Sequence, residues 1–136
     1  MTTDAGEQLL DAATTLTPSW EKTWRDGFTK VLPEAGIALL RQALITDDKR
    51  LIQGGTTNPP LLMCVQDFAM CAGCAITLAA VGRYDCTVGE AEEAFAKACS
   101  EADEKLDEPA ACRWFLNWFD DTPRDEMRRE LLRVLA

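Results

Sequence analysis

MCVQDFAMCAGCAI, residues 63–76, places three cysteines within eleven positions of an apolar run. A helix, a metal loop and a redox motif would each put those sulfurs in a different place, so this stretch decides the fold. The run continues to Gly82 and is preceded by Asn58-Pro59-Pro60. Asparagine caps helices, proline suits a first turn, and glycine suits a helix end. The pattern predicts one long helix over about 59–82. At about 100° per residue, Cys71 then lies about 20° from Cys64 and Cys74 about 80° on the same side, with Asp67 between them.

A Cys64/Asp67/Cys71/Cys74 face could bind zinc or an iron–sulfur centre if Cys99 or Cys112 supplied a further ligand. Packing is the stronger reading. Reduced cysteine behaves as a small hydrophobe, and its neighbours Ala69, Ala72, Gly73, Ala75, Ala79 and Ala80 are small too. The segment reads as the thin central helix of a bundle, with inert sulfurs and no cofactor. Structural zinc sites also tend to pair one C-x-x-C with a second, and this chain has only one. Cys71-Ala72-Gly73-Cys74 has thioredoxin-like spacing. A pair about twelve residues into a helix, with no strand before it, lacks the helix-start dipole that activates such thiols. The uncharged stretch 68–82 is short of the ~20 residues a membrane span needs, and extending it takes in Asp67.

The rest of the chain is punctuated into helices. Residues 4–15 read as a first one. Thr17-Pro18 restarts the chain, and Trp20, Trp24, Phe28 and Val31 follow at helical spacing. Pro33 opens a third helix, with Ile37, Leu40, Leu44 and Ile45 as its buried stripe. It breaks near Thr46-Asp47, a turn or short helix passes through Leu51 and Ile52, and Gln53–Asn58 is a loop. Thr87-Val88-Gly89-Glu90 is a capping box. The helix it starts turns Val88, Ala91, Phe95, Ala98, Cys99, Ala102 and Leu106 inward. Pro109 starts another helix, and Thr122-Pro123 the last, through Met127, Leu131 and Leu135. The expected fold is all-α: a compact single-domain bundle, 1–136, of five to seven helices around the small-residue-rich helix at about 59–82. A chain of 136 residues buries about two thirds of its unfolded surface without needing a metal or disulfide.

Charge and composition narrow the function. The net charge is −9, which disfavours nucleic-acid binding. Nine acids between Asp85 and Glu108 face only Lys97 and Lys105, whereas Arg124, Arg128, Arg129 and Arg133 make the last helix weakly basic. There is no histidine, which removes the usual general base and every imidazole ligand. MTTDAGEQLL has neither the basic nor the apolar region of a secretory signal. Six cysteines without one point to free thiols in a reducing, cytoplasmic setting. Gly54-Gly55 is no phosphate loop, because Pro59 and Pro60 lack the N–H groups and no lysine follows.

CRWFLNWFDD, residues 112–121, covers about 200° of a helix with Cys112, Trp114, Phe115, Leu116, Trp118 and Phe119. Such a helix is either nearly buried, with Trp20 and Trp24 stacked against it, or meets another chain along one edge, as in a homodimer.

These observations lead to a small acidic non-enzymatic protein that acts through protein–protein interaction, as an adaptor, regulator or inhibitor. Its partner surface would use Glu92, Glu93, Glu101, Asp103 and Glu104 of the acidic helix, or Trp114 and Trp118 of the aromatic one. The alternative is a thiolate-ligated zinc or iron–sulfur protein centred on Cys64, Asp67, Cys71 and Cys74. An enzyme using Asp67 or a thiol would lack a base.

Overall fold

The backbone between Asn58 and Gly73 has a use for its hydrogen bonds other than a helix. In the computed structural model, which describes residues 18–61 and 65–135, Thr57–Asn58 (β1) and Ala72–Gly73 (β2) form a short antiparallel ladder. Leu51 bridges Gly73 from the other side. The long helix expected over 59–82 is therefore confined to Ala75–Val81 (α3). Pairing with a loop some fifteen residues upstream satisfies the same N–H and C=O groups, and glycine is a poor helix former. The end was read correctly: Gly82 closes α3 at φ 75°, a left-handed conformation that glycine adopts without a Cβ penalty.

The fold is nevertheless all-α. Ser19–Asp26 (α1) leads through a 3₁₀ turn at Phe28–Lys30 to Glu34–Thr46 (α2). After β1, β2 and α3 come Val88–Leu106 (α4), Cys112–Asp121 (α5) and Arg124–Leu135 (α6). The expected helix at 4–15, and the capping role given to Thr17, lie outside the described residues. Pro18 and Pro33 stand just before their helices. The capping box forms: the Glu90 N–H donates to Thr87 Oγ1 at 3.1 Å, and the Thr87 N–H donates to Glu90 Oε1 at 2.9 Å.

Short as it is, α3 takes the central place expected of the small-residue helix. Ala75, Ile76, Leu78 and Ala79 have no exposed surface, and the helix packs between α2 and α4. Small side chains let the neighbours come close. A Cβ added to Gly36 of α2 would lie 1.7 Å from the Ala79 carbonyl oxygen.

An aromatic layer closes the other end of the core. Trp20 stacks on Trp118 with centroids 3.6 Å apart and planes within 4°. Trp24 stacks on Phe115 at 5.5 Å, and Phe28 meets Phe115 edge-on at 5.5 Å. The aromatic helix is thus joined to Trp20 and Trp24, yet it is not fully buried: Trp114 keeps 44% of its surface exposed. The stripe of α2 is narrower than expected as well, because Ile45 is 54% exposed while Leu40 and Leu44 are fully buried.

The basic tail helix spends two of its arginines inside the molecule. Arg124 donates to the Leu51 carbonyl at 2.9 Å and the Asp48 carbonyl at 3.0 Å, and pairs with Asp47 at 2.7 Å. Arg128 donates to the Leu44 carbonyl at 2.9 Å. The carbonyls at the end of α2, which a helix leaves without partners, are satisfied by α6. Hydrogen bonds from Lys49 and then Arg124 hold the Asp47 carboxyl at about 2 instead of 3.8. Those from Arg50 do the same for Asp48, also to about 2. A depressed carboxylate pKa stabilises the fold fully above its ordinary value, and the contribution is lost as pH falls through the folded one. Urea midpoints should therefore drop between about pH 4 and pH 2. Arg124→Ala should cost about 1–2 kcal/mol at neutral pH, chiefly by taking the donor from the Leu51 carbonyl, and make the acid decline shallower. An unchanged midpoint in that variant would mean that Arg124 does not hold the turn that follows α2.

Candidate functional site

Two places bring chemistry-bearing residues together. The first is a cleft of about 400 Å³ bounded by the Gly54–Thr56 loop, Cys74, α4 and α5. Its rim is fixed by the loop. The Gln53 amide donates to the Phe119 and Thr122 carbonyls, both at 2.7 Å, capping the end of α5. The Gly54 N–H donates to Asp120 Oδ1 at 2.9 Å. Phe95 and Leu116 make the walls apolar, and three thiols, Cys74, Cys99 and Cys112, line the interior.

These three sulfurs differ. Cys74 is buried, and its Sγ lies 3.3 Å from Thr77 Oγ1; burial pushes its thiol pKa up. Cys99 lines the same cleft as Cys112, and that neighbour, together with burial, raises the Cys99 thiol. Cys112 is held below the ordinary thiol value, first by Cys99. Asp103 places Cys112 there. The Cys112 N–H donates to Asp103 Oδ1 at 2.7 Å, and the Ala110 N–H donates to Oδ2 at 3.2 Å. The turn folds back through left-handed Asp107 and Ala110, at φ 54° and 61°. α5 consequently begins at Cys112, three residues after the Pro109 start expected from sequence.

The described members of the proposed metal face do not share one side of a helix. With no helix through 65–73, Asp67 and Cys71 are exposed while Cys74 is buried, and Cys64 lies outside the described residues. Among the described residues, no three potential ligands converge on a point suited to a metal ion. Cys74 does stand at a helix start after a strand, contrary to the expectation for this C-x-x-C. The intervening chain is extended, however, which sets Cys71 and Cys74 about 10 Å apart, beyond the reach of a disulfide. Cys71, Cys74, Cys86, Cys99 and Cys112 are all free thiols.

The second place is the N-terminal end of α4. The Val88 N–H donates to the Phe68 carbonyl at 2.8 Å and the Gly89 N–H to the Gln66 carbonyl at 2.9 Å, while the Met70 N–H donates to the Cys86 carbonyl at 2.9 Å. The segment 66–69 caps the helix and is exposed throughout, with Phe68 at 57%. A Cβ on Gly89 would come within 3.1 Å of Gln66, so glycine permits the close approach. The segment carrying Leu61, 47% exposed, is tied to the same helix: Thr57 Oγ1 donates to Glu92 Oε2 at 2.7 Å.

Of the acidic and aromatic residues expected to meet a partner, Glu93 and Glu104 are exposed and Glu92 and Glu101 half-buried. Asp103 binds the next turn, and Trp118 is stacked on Trp20. Phe68 went unnoticed in the sequence because, in a helix, it was one more apolar residue. As a pair, Cys99 and Cys112 leave no mark in the sequence, where one is an inward residue of its helix and the other part of an aromatic face, since nothing local shows that Asp103 draws the next helix back. Among the described residues, no helix is long and apolar enough to cross a membrane. No protein-family model, curated protein or solved structure matches the chain.

Proposed function

We propose that this protein works without catalysis, by binding another protein through the N-terminal end of α4. The observation that carries the reading is Phe68: a large apolar side chain held out to solvent on a backbone that four hydrogen bonds fix in place. A preordered aromatic side chain loses little freedom on binding, and buried aromatic anchors dominate many interfaces. Leu61, also exposed, offers a second apolar side chain on a segment tied to α4 through Thr57 and Glu92, and Glu93 adds exposed negative charge on the same helix. Glu101, Glu104 and Trp114 extend the surface along α4 and onto α5. The partner would offer an apolar socket with lysine or arginine at its rim. Free thiols and an acidic surface suit a reducing, cytoplasmic setting.

The test compares proteins captured by the wild type with those captured by Phe68→Asp and by Glu93→Lys. Phe68→Asp should abolish capture of the specific partner, a loss of about 2 kcal/mol or more for a central aromatic anchor. Glu93→Lys should weaken it in a salt-dependent way. Both variants should keep the wild-type circular dichroism. Identical captured sets for all three proteins would defeat the proposal. Self-association lost in Phe68→Asp, seen by sedimentation, would identify the partner as a second copy.

A further inference from the structure

The cleft contains a pair of thiols for which partner binding has no use. Cys99 lies on the inward face of α4, and Asp103 stands one turn further along it. Asp103 grips the backbone of Cys112 at 2.7 Å, bringing the first residue of α5 against the turn that bears Cys99. Its other oxygen lies 3.7 Å from the Cys112 sulfur. Both thiols border the same cleft, which is wide enough to admit a molecule the size of water. We propose that Cys99 and Cys112 form a dithiol site for hydrogen peroxide, with Cys112 the sulfur that attacks the peroxide and Cys99 the one that resolves the resulting sulfenic acid.

In the first step the Cys112 sulfur displaces on one peroxide oxygen. The S–O bond forms, the O–O bond breaks, and the departing hydroxide leaves as water with the Cys112 proton. Asp103 Oδ2 is placed to take that proton in passing. Cys99 then attacks the sulfenic sulfur. The S–S bond forms, the S–O bond breaks, and hydroxide leaves as a second water with the Cys99 proton. The two thiols lose two electrons and the peroxide gains them. The product ties α4 to α5 across the turn at 107–111. The other cysteines of the described segments are less well placed for this. Cys74 lines the cleft but its sulfur is held against Thr77 at 3.3 Å, Cys86 is buried away from the cleft, and Cys71 is exposed and lies outside the cleft lining.

The site is distinguishable by mapping. The reduced full-length protein, freed of reductant, is treated with a small excess of hydrogen peroxide, alkylated, and digested without reduction. The expected product is a monomer whose cross-linked peptide contains Cys99 and Cys112. Cys99→Ser should stop at a sulfenic acid on Cys112 that dimedone traps. Cys112→Ser should react at least about tenfold more slowly, and Cys71→Ser should react at the wild-type rate. Circular dichroism checks that each variant is folded. A disulfide that includes Cys74, a dimer linked through any other cysteine, or Cys99 and Cys112 both still open to alkylation while peroxide is consumed elsewhere would each overturn the proposal.

Discussion

Gly36→Ala should cost at least about 3 kcal/mol, a large part of the 5–15 kcal/mol that typically separates folded from unfolded states. Helix propensity alone points the other way, since alanine is favoured over glycine by up to about 1 kcal/mol inside a helix. The structure reverses the sign. The new methyl carbon would stand 1.7 Å from the Ala79 carbonyl oxygen and 2.7 Å from its carbon. Both are backbone atoms of α3 and cannot rotate aside, so α2 and α3 must separate. That opens the fully buried region around Leu40, Leu44, Ile76 and Leu78. Gly55→Ala is the control, because its added Cβ meets nothing within 4 Å and should shift stability by no more than about 0.5 kcal/mol. Urea denaturation of the three proteins decides the matter. A Gly36→Ala variant as stable as wild type would mean that the two helices do not cross there.

Phe115→Ala should cost about 3–5 kcal/mol, the usual range for a fully buried phenylalanine. Phe115 has no exposed surface, and its ring touches the aromatic groups of Trp20, Trp24, Phe28, Trp118 and Phe119. Its removal leaves a cavity bordered by rigid rings that collapse poorly. The adjacent Trp114→Ala removes a larger side chain, but one that already keeps 44% of its surface exposed, and should cost less. The ratio of the two effects, read from urea midpoints at constant slope, tests which face of α5 is inward. Equal losses would contradict the arrangement.

The elements legible in the sequence were those whose signals are local. The Thr87–Glu90 box, Gly82 after α3 and Pro123 before α6 act through groups within a few residues of one another, and each marks a boundary where the helix has one. The all-α class followed from them. The stretch 59–82 misled because a run of apolar and small residues carries no period that separates a helix from a buried extended strand. What decides it is the ladder between Asn58 and Ala72, together with the Leu51 bridge to Gly73, and such pairing exists only once the chain has folded back. The arginines of α6 were a similar case. Arg124 and Arg128 look like surface charge in one dimension, but they serve carbonyls more than seventy residues away. The thiol pair needed two facts that spacing does not contain: a left-handed alanine at position 110, and an aspartate that binds the start of the next helix.

The stacked indoles have a use of their own. Trp20 and Trp118 lie with ring planes within 4° and centroids 3.6 Å apart, close enough for their electronic transitions to mix, so the tryptophan absorption and emission of the native protein should differ from those of separated indoles. The difference requires contact between α1 and α5 and vanishes once they part. It is therefore a built-in optical gauge of whether this one helix pair is docked, readable without a label while the remaining helices stay folded.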